Sequence, residues 1–161
     1  MYVHKLHIAE FDKIDYQLIA IHSPLEDYRL AYFINKHLPI NLKKCHNNIQ
    51  ISNKEGETQF TRFIFEDHQD VAWSLIQNQN DAIVSAPSNN FGLFAESSTE
   101  FAPKIYLIPE FKKVDYFFKI ENDEVPIDLP NIINCLKKID KINTVYTVDV
   151  ANIKSKNNLI F

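Results

Sequence analysis

The sequence predicts an α+β domain in which a mainly antiparallel sheet of six to eight strands carries two helices packed on one face. Three observations predict it. Most apolar residues recur with a period of two, two separate segments recur at helical spacing, and 161 residues suffice for one core but hardly for two. Residues 1–161 therefore read as a single domain.

Residues 15–22 (DYQLIAIH) read as a strand, with Tyr16, Leu18 and Ala20 on one face and Ile19 and Ile21 on the other. Apolar residues on both faces place it inside the sheet. A helix is predicted over Pro24–Leu38, where Ser23 supplies a cap, Glu26 completes a Ser-x-x-Glu box and Pro24 takes the first position. Its buried stripe is Leu30, Phe33, Ile34 and Leu38, and Pro39 is the stop. The period then changes. Ile49 and Ile51 alternate with polar residues, Asn53-Lys54-Glu55-Gly56 makes a turn, and Phe63 and Phe65 line the face opposite Phe60 and Ile64. Val71–Ile76 and Ala82–Val84 read as strands separated by a polar turn, Asn78-Gln79-Asn80-Asp81.

Residues 85–103 form a long connection bearing Phe91, Leu93, Phe94 and Phe101, and long loops of this kind are commonly functional. Strands follow at 104–109 and 113–120. In the second, Val114, Tyr116, Phe118 and Ile120 share a face opposite Lys113, Asp115, Phe117 and Lys119. A second helix spans 128–139, with Asp128 at its cap and Leu129, Ile132, Ile133 and Leu136 as its stripe. A last strand covers 143–150. The tail, 151–161, is polar until Leu159-Ile160-Phe161, which should dock on the domain or on a neighbouring subunit.

Several chemistries find no support. Gly56 and Gly92 are the only glycines, so neither G-x-G-x-x-G nor G-x-x-x-x-G-K-[ST] can be written and nucleotide binding through such loops is excluded. No cofactor is expected. His4 and His7, three apart on an extended segment, point to opposite faces, and adjacent Cys45 and His46 also diverge, so no metal site is expected. Cys135 falls beside a buried stripe. Cys45 lies among Lys43, Lys44 and His46, a setting that lowers a thiol pKa. No catalytic residue is assigned. The net charge of −4 argues against a generic nucleic-acid partner, although Phe60, Arg62 and Lys44 could present aromatic and basic groups on one hairpin. No apolar run approaches the length of a membrane span, and two distant cysteines without a leader segment suit the cytoplasm.

The segment Ile108-Pro109-Glu110-Phe111-Lys112-Lys113-Val114-Asp115-Tyr116 matches the pattern IPE-x-x-x-VDY throughout, and the chain resembles the bacterial protein family known by that pattern. The DYQLIAIHS and LEDYRLAYFIN stretches and the closing NLIF are similar to that family as well. The resemblance implies a cytoplasmic bacterial protein and supplies no chemistry. Ile108, Pro109, Glu110, Val114, Asp115 and Tyr116 then read as a fold signature, with Pro109 ending a strand and Glu110–Lys113 turning the chain.

A non-enzymatic binding or adaptor protein is the expectation that follows, acting through protein–protein contacts or self-association. Its contact surface would be a sheet edge, the aromatic loop (Phe91, Leu93, Phe94, Phe101) or the tail (Leu159, Ile160, Phe161). The alternatives are a small-molecule enzyme or sensor using Glu110, Asp115 or His22 in a pocket between helices and sheet, and an RNA-associated factor. The sequence names neither ligand nor partner.

Overall fold

The computed structural model describes residues 16–83, 102–122 and 125–161. In chain order the elements are β1 (Tyr16–His22), α1 (Asp27–His37), β2 (Lys43–Lys44), β3 (Ile49–Asn53), β4 (Gly56–Phe60), β5 (Arg62–Glu66), β6 (Ala72–Gln77), β7 (Gln79–Asp81), β8 (Lys104–Tyr106), β9 (Tyr116–Glu121), α2 (Leu129–Lys137) and β10 (Thr144–Val148). Six strands form one sheet in the order β10-β1-β9-β6-β5-β2, every neighbouring pair antiparallel. β3–β4 and β7–β8 are separate two-stranded ribbons. The α+β class, the antiparallel sheet and the pair of helices follow the sequence expectation.

The sheet is apolar on both sides because both sides are covered. Ile19, Ile21, Leu75, Phe118 and Ile120 point into a core closed by Leu30 and Ile34 of α1 and by Ile132 and Leu136 of α2. Leu18, Ala20, Ile76 and Phe117 point the other way, into a second core. No α-helix covers that second core among the described residues. Phe60 of the hairpin, Ile105 of the ribbon, Ile108, Val150, Ile153 and Leu159 close it instead. A strand buried on both faces loses its apolar–polar alternation, which is why β1 and β9 read as nearly continuous apolar runs.

Local signals set some boundaries well. Asp128 caps α2 by accepting from the Asn131 amide, and Pro130 occupies its first turn. The β3–β4 turn closes at Gly56, whose φ of +133° suits glycine, and a Cβ there would come within 3.3 Å of Ala82 Cβ. Asp67 Oδ1 accepts from the Gln69 and Val71 amides to make the turn between β5 and β6.

Elsewhere the expectation needs correction. Ser23 does not cap α1: its Oγ accepts from the Leu25 amide, before the helix, while its hydroxyl donates to the Lys141 carbonyl and its amide to Asp115 Oδ2; the helix begins at Asp27, with Glu26 at the cap position. Its end is as expected: Leu38 is extended (φ −118°, ψ 149°), the conformation a following proline favours. Val114 precedes β9 and joins the second core, opposite the face occupied by Tyr116, Phe118 and Ile120. The expected turn at Asn78–Asp81 is mostly a strand, with β7 paired to β8 from Gln79↔Tyr106 to Asp81↔Lys104. The strand expected at 82–84 is reduced, within the described residues, to an isolated bridge between Ile83 and Glu57.

Asn78 explains that last region. It is fully buried where the chain leaves β6 for β7. Its amide N–H donates to the Asp115 carbonyl at 3.0 Å, and its own carbonyl accepts from the Leu107 amide at 2.8 Å, so one residue extends both ladders. Its side-chain Nδ2 donates to the carbonyls of Phe111 (2.9 Å) and Val114 (2.8 Å), and Oδ1 accepts from the Ile108 amide at 2.9 Å. Each donor is used and each acceptor atom is engaged. Replacing Asn78 with alanine strands two backbone groups, the Ile108 amide and the Val114 carbonyl, while the Phe111 carbonyl keeps the Val114 amide. At ~1–3 kcal/mol for each unsatisfied buried group, the Asn78→Ala variant loses at least ~2 kcal/mol, read as a fall in its urea unfolding midpoint.

Candidate interaction surface

The IPE-x-x-x-VDY residues all bind other parts of the same chain. Ile108 and Val114 are buried in the second core. Pro109 opens a 3₁₀ turn over Pro109–Phe111, and Phe111 meets the Phe117 ring edge-on at 6.0 Å. Asp115 Oδ2 accepts from the Ser23 amide at 2.8 Å and Oδ1 from Gln79 Nε2 at 2.9 Å, tying the exit of β1 to β7. Tyr116 donates its hydroxyl to the Leu25 carbonyl at 2.6 Å, and burial followed by the charges of Asp27, Asp115 and Glu26 pushes its pKa up. It stays a neutral donor. Glu110 Oε1 accepts from the Ser155 amide at 2.8 Å, anchoring the tail.

That geometry bears on acid–base chemistry. A cleft of about 300 Å³ opens beside Asp115, lined also by Ser23, Gln79, Asp81, Lys104 and Tyr116. Asp115 and Tyr116 are already committed there to internal hydrogen bonds. Glu110 and His22 do not line this cleft; Glu110 faces the tail, and His22 stacks on Tyr146 with centroids 5.7 Å apart. The three residues considered for catalysis do not converge. Among the described residues no cluster of three or more His, Cys, Asp or Glu could hold a metal ion, and no helix is long and apolar enough to cross a membrane.

The stacking surface considered for RNA does not form on the hairpin. Phe60 is 0 % exposed in the second core, and Arg62 stacks over Phe161 at 4.3 Å while donating from Nη2 to Cys45 Sγ at 3.3 Å. That hydrogen bond, reinforced by the Asn47 amide, holds the Cys45 thiol below its ordinary range. The sequence suggested a lowered pKa but pointed to the neighbouring lysines; the cation responsible is reached across the β2–β5 pairing.

The tail divides. Leu159 is 0 % exposed in the second core and its carbonyl accepts from Lys119 Nζ at 2.8 Å. Lys119, only 3 % exposed, also pairs with Glu121 and lies 4.7 Å from the Tyr16 ring and 4.8 Å from the Phe161 ring. Ile160 is largely exposed, and Phe161 is partly covered by Arg62 and Lys119. The tail is thus built into its own domain through Leu159. Phe91, Leu93, Phe94 and Phe101 lie outside the described residues, as do His4 and His7.

The sequence did not single out how the two ends of the sheet differ. β2 is two residues long and both are lysine, a short and charged edge of the kind that deters further strand pairing. At the other end β10 runs Thr144-Val145-Tyr146-Thr147-Val148, with four β-branched residues, an aromatic and neither charge nor proline. β1 occupies one side of it. No strand among the described residues pairs with its other side. Half of the backbone polar groups of such an edge strand face outward. Thr144, Tyr146 and Thr147 are exposed beside that edge. On α1, Tyr28 and Tyr32 are exposed four residues apart, with Lys36 Nζ 5.0 Å from the Tyr32 ring. Comparison with protein-family models, curated proteins and solved structures finds no match to this chain.

Two outcomes follow from the tail. Leu159→Ala removes a fully enclosed side chain and costs about 2–5 kcal/mol of folding stability by urea denaturation. Glu110 gives a pH dependence. Burial works to raise its pKa, but hydrogen bonds from its own amide, from Ser155 and from Lys154 outweigh burial and bring it below the ordinary 4.5. A depressed folded-state pKa contributes stability above the unfolded value that is lost as pH falls through the folded one. The stability difference between wild type and Glu110→Gln should therefore be flat above pH 4.5 and shrink below it, as followed by denaturation at a series of pH values.

Proposed function

We propose that the protein is a non-enzymatic binding module, acting through protein–protein contacts with the open edge of β10 as its working surface. One observation carries this reading: a sheet blunted at one end by Lys43 and Lys44 ends at the other in an uncharged, β-branched and aromatic strand whose outer side pairs with no strand among the described residues and whose Thr144, Tyr146 and Thr147 are exposed. An extended segment added there gains main-chain hydrogen bonds for affinity, while Tyr146 and the flanking threonines discriminate between side chains. The internal commitments of Asp115, Tyr116 and Glu110 support the same reading, since groups already engaged in hydrogen bonds within the fold are less free to carry protons.

The proposal includes a cytoplasmic location, supported by two unpaired cysteines, Cys45 and Cys135, and by the resemblance to the IPE-x-x-x-VDY family. A second reading, ligand binding, rests on the cleft beside Asp115, where Asp81 and Lys104 place opposite charges on adjacent strands.

The edge is tested with Thr144→Lys/Thr147→Lys, both changes at exposed positions of β10. Proteins captured from cell extract by the wild type should fall at least tenfold in yield with the double variant, a loss of about 1.4 kcal/mol or more. The melting temperature should stay within a few degrees. An unchanged set of captured proteins would overturn the assignment of β10.

A further inference from the structure

We infer that the occupant of the β10 edge is a second copy of this chain, paired antiparallel about a two-fold axis beside Tyr146. The inference rests on the reading of β10 as the working surface and supplies its partner. Two six-stranded sheets then become one continuous sheet.

Topology supplies the first reason. Edge-to-edge association of identical sheets can join like ends or unlike ends. Joining unlike ends sets β10 against β2, which offers two residues, both lysine. Joining β2 to β2 sets lysines against lysines. Only β10 against β10 matches strand length to strand length without charge, and because it uses the same edge of both copies it closes as a dimer and cannot propagate.

Register supplies the second. Pairing centred on Tyr146 sets Thr144 opposite the partner's Val148 and Val145 opposite the partner's Thr147, with the two tyrosines facing each other. Aromatic pairs and β-branched pairs are the favourable cross-strand combinations. The two-fold also keeps like faces together. Val145 of each copy stays on the helix side and Val148 on the side of the second core, so both cores continue across the junction.

A five-residue strand pair buries less than the ~800 Å² per partner of a standard interface, so the dimer is a weak one with a dissociation constant on the order of micromolar or above.

Sedimentation velocity of the full chain from about 1 µM to about 500 µM covers this range. The inference expects a single monomer–dimer equilibrium with nothing larger, and at least a tenfold rise in the dissociation constant for Thr144→Lys/Thr147→Lys. Register is read separately in a background of Cys45→Ser and Cys135→Ser. There Tyr146→Cys should cross-link to itself under mild oxidation, since it alone opposes its own copy, and Thr58→Cys, buried in the hairpin, should not. The wild-type concentration series needs no variant to fold, so it decides even where a substitution misfolds. A monomer at all concentrations, a dimer indifferent to the lysines, or open-ended growth would overturn the second copy as occupant. A monomer whose capture of other proteins still depends on Thr144 and Thr147 would sink this inference and leave the β10 reading standing. Indifference in both assays would sink both.

Discussion

A carboxamide taken out of water must find partners for each of its polar atoms, and Asn78 meets that requirement where the sheet, the β7–β8 ribbon and the 108–114 segment come together. The main-chain groups of Asn78 continue two ladders that would otherwise end there, and its side chain substitutes for the third strand that the 108–114 segment lacks. Remove that amide and the Ile108 N–H and the Val114 carbonyl lose their partners at the two ends of the segment that leads Asp115 to Ser23 and Gln79. The IPE-x-x-x-VDY residues act as a joint around this one side chain. Their polar groups are spent on holding the chain together.

A sheet covered on both faces sets the next constraint. The helix side is covered by two regular elements with apolar stripes, an economical arrangement for a sheet of this width. The opposite side is covered piecemeal by a hairpin, a short ribbon and turns, none of which spans it alone. The tail completes that cover through Leu159 and reaches Lys119, whose ammonium would otherwise face an apolar surface.

How far the sequence could be read depended on the range of the interactions behind each element. The apolar run of β1, the turn before Gly56 and the Asp128 cap of α2 are set by residues within a few positions of one another, and their patterns are visible in the chain. Ser23 has the look of a cap, but its amide and hydroxyl are claimed by Asp115 and Lys141, 92 and 118 positions away. The polar run Asn78–Asp81 has turn composition, yet pairing with residues 104–106 makes most of it a strand, a tertiary override of local preference. Val114 fits the alternation of the strand that follows it, but its amide donates to the Phe111 carbonyl and its carbonyl accepts from Asn78, which place it in a turn. For the candidate surface, the lysines at β2 and the uncharged run at β10 were both in view, but neither could be recognised as an edge before the strand order was known.

The enclosure of Lys119 changes what its amine can report. With Leu159 seated and the ring centroids of Tyr16 and Phe161 4.7 and 4.8 Å away, that nitrogen is shielded from acylating reagents in bulk solvent, whereas the exposed lysines at β2 are open to them. The labelling rate of this one lysine therefore tracks how often the carboxyl-terminal segment lifts away, giving a local clock for that motion independent of global unfolding.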